Sequence, residues 1–347
     1  MMVAAQEAVG RNDLRLVRSS ELELQRVAHG VEDPVDAVNV LLVRARLRSR
    51  CGDPVGAARL SEQALVLARL PAPRGDQNVM CRLLVQALAD TADFRHSSGG
   101  TDVEGLLTEA LNLSSLVFGE RDPDTASVWN SLGMYYRYCG RFDEAERAYA
   151  SSLAVWADAE SGTLAVSQIA PVLHNLASLR HLCGDLVSAE QLIRDALSRR
   201  GAEGLGRAAD LAVLAAVLCD AGRLEEASRL YEETRTVLTG QHGTDSLEMA
   251  YLDANAAVLT HRMGDLPAAD AQYQSALLAT ERLLGTSHRQ VGVILANQAQ
   301  LARQRDERDR AVALATRAVG LLEADAGGCQ PEMPALRLAI RLARGQH

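Results

Sequence analysis

The sequence predicts an all-α fold made of about seven consecutive helical hairpins, and three observations lead to this fold class. The chain of 347 residues is rich in Ala, Leu and Arg, and 48% of it is hydrophobic although only 3% is aromatic, which is typical of helices and not of sheets. Glycines that can end a helix recur roughly every 42 residues. Small side chains recur at two fixed distances after these glycines, so helices are expected to alternate with tight turns.

The clearest hairpin covers residues 125–153. Trp129, Leu132 and Tyr136 fall on one face at helical spacing. Gly140 then interrupts the pattern, and a glycine at this point can adopt the positive φ that ends a helix. A second amphipathic pattern follows at once, so the segment is predicted to form two helices joined by a tight turn.

The residues at these turns define a register for the whole chain. The turn positions are Gly52, Gly140, Gly184, Gly222, Gly264 and, where the glycine is lost, Asp306. Five residues after them lie Ala57, Ala145, Ala189, Ala227, Ala269 and Ala311. Twelve residues after them lie Ala64, Ser152, Ala196, Thr234, Ala276 and Ala318. We expect both sets at helix crossings, because only small side chains allow two helices to approach closely.

The register divides the chain into a solenoid, 34–325, between two terminal segments. The predicted hairpins lie near 34–70, 78–119, 122–158, 166–200, 206–240, 244–285 and 286–325. The second hairpin is irregular, since its turn at 96–100 is lengthened and polar. Residues 1–33 are expected to form capping helices or a degenerate hairpin. Residues 329–347 are expected to form a C-terminal capping helix that covers the last apolar face.

The patterns W-x2-L-G-x2-Y and G-x-F-x2-A-x3-Y in residues 129–149 resemble the tetratricopeptide repeat family. The resemblance covers about 34–325 and implies a right-handed superhelical solenoid. A period longer than the common 34 residues is similar to the kinesin-light-chain-like subclass, which is frequent in bacterial regulators. In such a solenoid the first helix of each hairpin lines a concave groove that binds proteins or peptides.

The sequence contains no motif that indicates an enzyme, a cofactor or a metal site. It has neither a glycine-rich phosphate loop nor the H-E-x-x-H, C-x2-C and G-x-S-x-G patterns. The net charge of −9 argues against nucleic acid as a partner, and no apolar run is long enough for a membrane span. Without a visible signal peptide we expect a cytoplasmic protein whose six cysteines are thiols.

Polar residues recur at fixed positions before the turns, and the resemblance places them in the groove. Three residues before the turn lie Arg137, His181, His261 and Arg303, and nine before it lie Asn175, Asn255 and Asn297. The predicted groove set is completed by Asn130, Tyr138, His174 and Arg262. Asn can pair with both the N–H and the C=O of an extended peptide, and Arg can bind a carboxylate with two parallel bonds.

Three functions are compatible with this sequence. The first is a non-enzymatic scaffold or adaptor that binds a protein or peptide in the groove. The second is a regulatory sensor that responds to a peptide or another ligand. The third is an enzyme, or an accessory subunit of a biosynthetic enzyme, with a pocket around Tyr138, His174 and His181. Apolar residues on more than one face of the final helix, 331–345, also suggest a homo-oligomer.

Overall fold

The computed structural model of the protein describes residues 14–27, 33–50, 53–72, 75–158, 163–200, 206–242 and 246–324. Within these ranges the chain forms fifteen helices and no strand, and 86% of the described residues are helical. The predicted all-α fold class is therefore confirmed. The helices are α1 (Leu14–Val27), α2 (Pro34–Arg50), α3 (Pro54–Ala68), α4 (Gln77–Ser97), α5 (Val103–Val117), α6 (Pro123–Tyr138), α7 (Phe142–Asp158), α8 (Thr163–Leu182), α9 (Leu186–Arg200), α10 (Arg207–Asp220), α11 (Leu224–His242), α12 (Leu247–Arg262), α13 (Leu266–Leu284), α14 (Arg289–Gln304) and α15 (Arg308–Ala324).

The chain divides into two compact units. The first unit comprises Met1–Arg137 and Phe142–Val172, and the second comprises Tyr138–Arg141 and Leu173–His347. In the first unit α2 packs on α3 and α4 on α5, and in the second α10 packs on α11, α12 on α13 and α14 on α15. First helices of neighbouring hairpins also touch each other, as α2 does with α4, α10 with α12 and α12 with α14. We call the surface formed by these first helices the groove face of each unit.

The turns have the backbone conformation that the register predicts. Gly140, Gly184, Gly222 and Gly264 have φ values of 71°, 78°, 77° and 90°, a region that side chains with a Cβ rarely enter. Asp306 adopts the same conformation with φ 62°, which identifies it as the turn residue of the last hairpin although it is not a glycine. Gly52 lies outside the described residues.

The small residues of the register lie where the two helices of a hairpin meet. The alanines at the first register position, five residues after the turn, are almost fully buried. Their exposure ranges from 0% at Ala145, Ala189 and Ala269 to 5% at Ala311. The residues at the second register position, twelve after the turn, are at most 1% exposed. The Ser152 hydroxyl also donates a hydrogen bond of 2.8 Å to the Ala126 carbonyl across its hairpin. A larger side chain at these positions would push the helices apart.

The glycine of the W-x2-L-G pattern has a packing role. A Cβ on Gly133 would lie 2.5 Å from Cε1 of Tyr149, much closer than two carbon atoms can approach. Tyr149 is fully buried against this helix. In this hairpin the Tyr149 ring of α7 therefore packs directly on the backbone of α6 at Gly133.

The apolar cores run along the hairpins of each unit. In the first unit Leu42, Leu88, Leu107 and Leu132 belong to one buried cluster. In the second unit separate clusters form around Tyr273 and around the packing of α14 on α15. This chain of local cores is typical of a repeat protein, in which each hairpin buries its apolar surface mainly against its neighbours.

The N-terminal helix α1 is joined to the first hairpin by a buried carboxylate. Glu21, 6% exposed, accepts hydrogen bonds from Arg44 at 3.3 Å and from Arg48 at 3.1 Å, both on α2. The described cysteines, Cys81, Cys139, Cys183 and Cys219, form no disulfide bonds with one another. No helix within the described ranges has both the length and the apolar character of a membrane span. The expected C-terminal helix, 329–347, lies outside the described residues.

Substitution of a crossing alanine tests the register. We expect Ala269→Leu to lower the free energy of unfolding by about 1–3 kcal/mol, because the larger side chain cannot fit between α12 and α13. Ala271→Leu is the matched control, since Ala271 is exposed on the same helix. Both values can be measured by chemical denaturation. Equal stability of the two variants would contradict the register.

The last turn offers a test in the stabilising direction. Because Asp306 holds a positive φ of 62°, Asp306→Gly should relieve backbone strain and stabilise the protein by about 0.5–1 kcal/mol. Gly264→Ala should have the opposite sign by a similar amount. Thermal unfolding of both variants checks this, and a destabilised Asp306→Gly would show that the aspartate side chain contributes more than its backbone conformation costs.

Candidate functional site

The candidate site lies on the groove face of the second unit, near the ends of α12 and α14. These two first helices are in contact, and their last turns carry polar residues at the predicted positions. Because the hairpins repeat with the same register, equivalent side chains of adjacent first helices point to the same surface. This surface has a concave part.

A cavity of about 530 Å³ opens between α12, α13 and α14. Its lining is mostly polar and consists of Val258, His261, Arg262, Tyr273, Asn297, Gln300, Arg303 and Gln304. Four of these residues, His261, Arg262, Asn297 and Arg303, belong to the predicted groove set, so the structure brings them together. Gln300 and Gln304 were not predicted, although they continue the same helical face one turn from Asn297 and one residue beyond Arg303.

Three polar side chains of the cavity, Asn297, Gln300 and Arg303, have no hydrogen-bond or ion-pair partner among the described residues. Arg303 is exposed and forms neither an ion pair nor a side-chain hydrogen bond within the described part of the chain. The half-buried amide of Asn297 likewise has no hydrogen-bond partner there. A cation and an amide on one concave surface can receive an anionic group and a peptide bond at the same time.

Three further polar residues of the cavity, His261, Arg262 and Gln304, contact polar groups of the protein. Nε2 of His261 lies 2.7 Å from Oε1 of Gln304, and the His261 ring meets Tyr273 edge-on at a centroid distance of 6.3 Å. Nη2 of Arg262 lies 2.5 Å from Oδ1 of Asp220 on α10. Arg303 is therefore the cation of this cavity whose charge no carboxylate of the described residues compensates.

Asp220 is a residue of this surface that sequence reasoning missed. Its second oxygen, Oδ2, lies 2.5 Å from Nε2 of His181, so one carboxylate joins α8, α10 and α12. Burial raises the pKa of the Asp220 carboxyl. The hydrogen bond from His181 and the positive charge of Arg262 outweigh this effect, so the pKa of Asp220 is held below its usual value. The sequence does contain a signal for Asp220. Cys219 lies three residues before the turn, where other hairpins have Arg or His, and the acidic residue directly follows it.

His174 belongs to a different, buried cluster. Its Nδ1 lies 2.7 Å from Oδ1 of Asp210, and Nε of Arg200 lies 2.5 Å from Oδ2 of the same carboxylate. Asp210 is 0% exposed, so the bonds from both partners offset the cost of burying its charge. These contacts join α8, α9 and α10. His174 and His181 thus bind separate carboxylates, and the structure does not bring them together.

The remaining predicted residues are distributed over both units. Asn255 is half-buried on α12 and has no hydrogen-bond partner among the described residues, and Asn175 is half-buried on α8. Asn130 and Arg137 are half-buried on α6 in the first unit, and Tyr138 follows at the start of the second. A groove role for these five residues remains a prediction. No group of three metal-ligating side chains occurs in the described ranges.

Comparisons with known proteins agree with this architecture. A family model described as tetratricopeptide repeat matches residues 104–158, and a second model with the same description matches 211–238 and 254–290. None of the curated proteins matches the sequence significantly.

Several solved structures share the fold. The apo form of the quorum sensor NprR from B. thuringiensis has a TM-score of 0.62 at 13% identity, over 93% of this chain and 86% of that one. NprR in complex with its cognate peptide NprX has 0.55 at 15%, over 72% and 69%. A Rap protein complexed with competence and sporulation factor has 0.61 at 14%, over 88% and 81%. At these identities the likeness concerns the fold alone. The chain contains tetratricopeptide repeats, and its described helices have the fold of a tetratricopeptide repeat solenoid.

Proposed function

We propose that this protein is a non-enzymatic scaffold or adaptor that binds an extended peptide or protein segment on its groove face. The observation that carries the proposal is the cavity of about 530 Å³, in which Arg303 and Asn297 have no partner in the described part of the chain. This volume is within the range of about 300–1,000 Å³ that ligand sites occupy. The fold likeness to NprR, solved with its cognate peptide, supports the same function.

The chemistry of the cavity favours a segment that carries a carboxylate. The guanidinium of Arg303 can donate two parallel hydrogen bonds to the two oxygens of a carboxylate. The amide of Asn297, two turns earlier on α14, can pair with both the N–H and the C=O of one peptide unit. Val258 and Tyr273 add apolar surface to the lining, which would contact an aliphatic part of the ligand.

Charge distribution makes this attraction local. The whole chain has a net charge of −9, so an acidic ligand gains nothing from the overall field of the protein. An uncompensated cation in a concave surface attracts such a ligand only at close range, where the local dielectric constant is lower than that of water. The site would therefore select for the position of the carboxylate and not for high negative charge.

A second candidate function is a ligand-responsive sensor. Its specific support is Asp220, which links His181 of α8 to Arg262 of α12 while Arg262 also lines the cavity. A ligand anion that competes for Arg262 would alter this link between three first helices. An enzymatic pocket around Tyr138, His174 and His181 is not proposed, because the two histidines are bound to different carboxylates.

Selection from a random decapeptide library on the purified protein tests the first proposal. We expect the recovered peptides to be enriched in Asp or Glu at one position. Arg303→Glu should weaken the recovered peptides at least about tenfold, because a carboxylate would face a carboxylate. Asn297→Ala should weaken them by about 1–2 kcal/mol. Isothermal titration calorimetry gives both values.

Arg308→Glu is the matched control. Arg308 is also exposed and without a partner among the described residues, but it begins α15, the second helix of its hairpin. It should leave affinity unchanged. Equal losses for Arg308→Glu and Arg303→Glu, or a failure to recover any peptide, would refute binding at this cavity. A change in small-angle scattering on peptide binding, absent in Asp220→Asn, would favour the sensor.

A further inference from the structure

The irregular hairpin of the first unit contains three titratable residues at groove positions that the turn count from the glycines did not reveal. Its turn residue is Gly99, with φ 76°. Asp90, Asp93 and His96 lie nine, six and three residues before it on α4, which are the positions that Ser131, Met134 and Arg137 occupy in the next hairpin. These side chains are half-buried and belong to one face of the helix.

Among the described residues, Arg46 is the cation that acts on Asp90 and Asp93, and it forms an ion pair with only one of these two carboxylates. Nε of Arg46, on the first helix of the preceding hairpin, donates a hydrogen bond of 2.8 Å to Oδ2 of Asp90. The side chain of Asp93 has neither a hydrogen bond nor an ion pair within the described residues. Arg46 and Asp90 are the charges that act on Asp93.

In the protein without a ligand, ionisation of Asp93 is energetically unfavourable. Burial, and after it the charge of Asp90, raises the pKa of Asp93 to about 7, although Arg46 acts in the opposite direction. Folding does not require a charge at this position, because an amide of the same shape would avoid the penalty. The charge becomes favourable only when a second cation is supplied from outside.

An aromatic ring lies against His96, one helical turn from Asp93. His96 follows Asp93 by one helical turn, and its ring meets Tyr135 of α6 edge-on at a centroid distance of 6.1 Å. Tyr135 in turn lies against Tyr136 at 5.8 Å. A cation bound at a carboxylate gains further from the negative face of a neighbouring aromatic ring.

We infer that the groove face of the first unit binds a cationic side chain, a guanidinium or an ammonium group of a peptide or protein segment, with Asp93 as its counter-ion. Arg46 holds Asp90 in place, and the Tyr135 ring lies against His96, one helical turn from Asp93. The inference rests on the proposed function only in taking the groove face as a binding surface. Its residues lie in the other unit from Arg303, so the two sites can fail separately.

Titration with a single cationic probe tests the site directly. The protein, labelled with ¹³C at the aspartate carboxyl carbons, is titrated with Nα-acetyl-arginine methylamide while the Asp93 resonance is followed by NMR. The neutral analogue built on citrulline has the same shape without the charge. We expect saturable shifts of Asp93 with the arginine probe and none with the citrulline probe.

Two variants locate the binding. Asp93→Asn should abolish saturable binding, which can be followed by calorimetry. Asp36→Asn is the control, because Asp36 is exposed at the start of α2 and its loss changes the net charge equally. Arg303→Glu should also leave this binding unchanged. Equal binding of the arginine and citrulline probes, retained binding in Asp93→Asn, or no saturation would each overturn the inference.

The pH dependence gives a test on the unaltered protein. Because the carboxylate must be ionised to bind a cation, affinity for the arginine probe should fall about tenfold from pH 8 to pH 6. His96→Gln should keep this step, since the step belongs to Asp93. Affinity that is constant over this range, or that rises towards acid, would contradict the assignment.

The same carboxyl predicts how stability of the free protein varies with pH. Its folded-state pKa of about 7 is above the ordinary value of 3.8, so its stabilising contribution is complete below the unfolded value and is lost as pH rises through about 7. Asp93→Asn should therefore raise the melting temperature at pH 8 relative to the wild type and have a smaller effect at pH 5. Scanning calorimetry at both values checks the sign.

Discussion

The close approach of two helices within each hairpin is the constraint on which the rest of this molecule depends. Alanines such as Ala145 and Ala269, 0% exposed, allow the two helix backbones to cross without intervening side chains. Because the second helix then lies close behind the first, the first helices of successive hairpins can meet one another. The groove face is formed as a result of this close packing.

Polar residues on this face fall into two classes that differ in what they bind. Some are neutralised by an opposite charge within the protein. Nη2 of Arg262 lies 2.5 Å from Oδ1 of Asp220, and Nε of Arg46 lies 2.8 Å from Oδ2 of Asp90. Others, such as Arg303, have no opposite charge within reach among the described residues. The first class fixes neighbouring helices relative to one another. The second class keeps its full electrostatic interaction available for a ligand, and it is the class on which a binding function can be based.

Much of the fold could be predicted from sequence because it depends on local rules. Turn glycines, crossing alanines and helical periodicity each act within one hairpin, so even Asp306, which departs from the pattern, was located correctly by counting. The polar clusters were harder to predict because they join neighbouring hairpins. Asp220 is recognisable only when the ends of α8 and α12 are known to flank it, and Asp93 was hidden by a lengthened turn that displaced its hairpin from the count.

The contact between Gly133 and Tyr149 limits how far these hairpins are interchangeable parts. The equivalent pairs in later hairpins are Ala177 with Ile193, Ala215 with Tyr231, Ala257 with Tyr273 and Ala299 with Ala315, all buried. At this contact the second helix contributes Tyr, Ile or Ala, and the first helix contributes Gly or Ala. Exchange of α13 and α15 between their hairpins, for example, would place the Tyr273 ring where Ala315 packs and leave a void where the ring was. Movement of a whole hairpin would keep both residues of this contact together, so the pair of helices, and not the single helix, is the unit in which this architecture can be recombined.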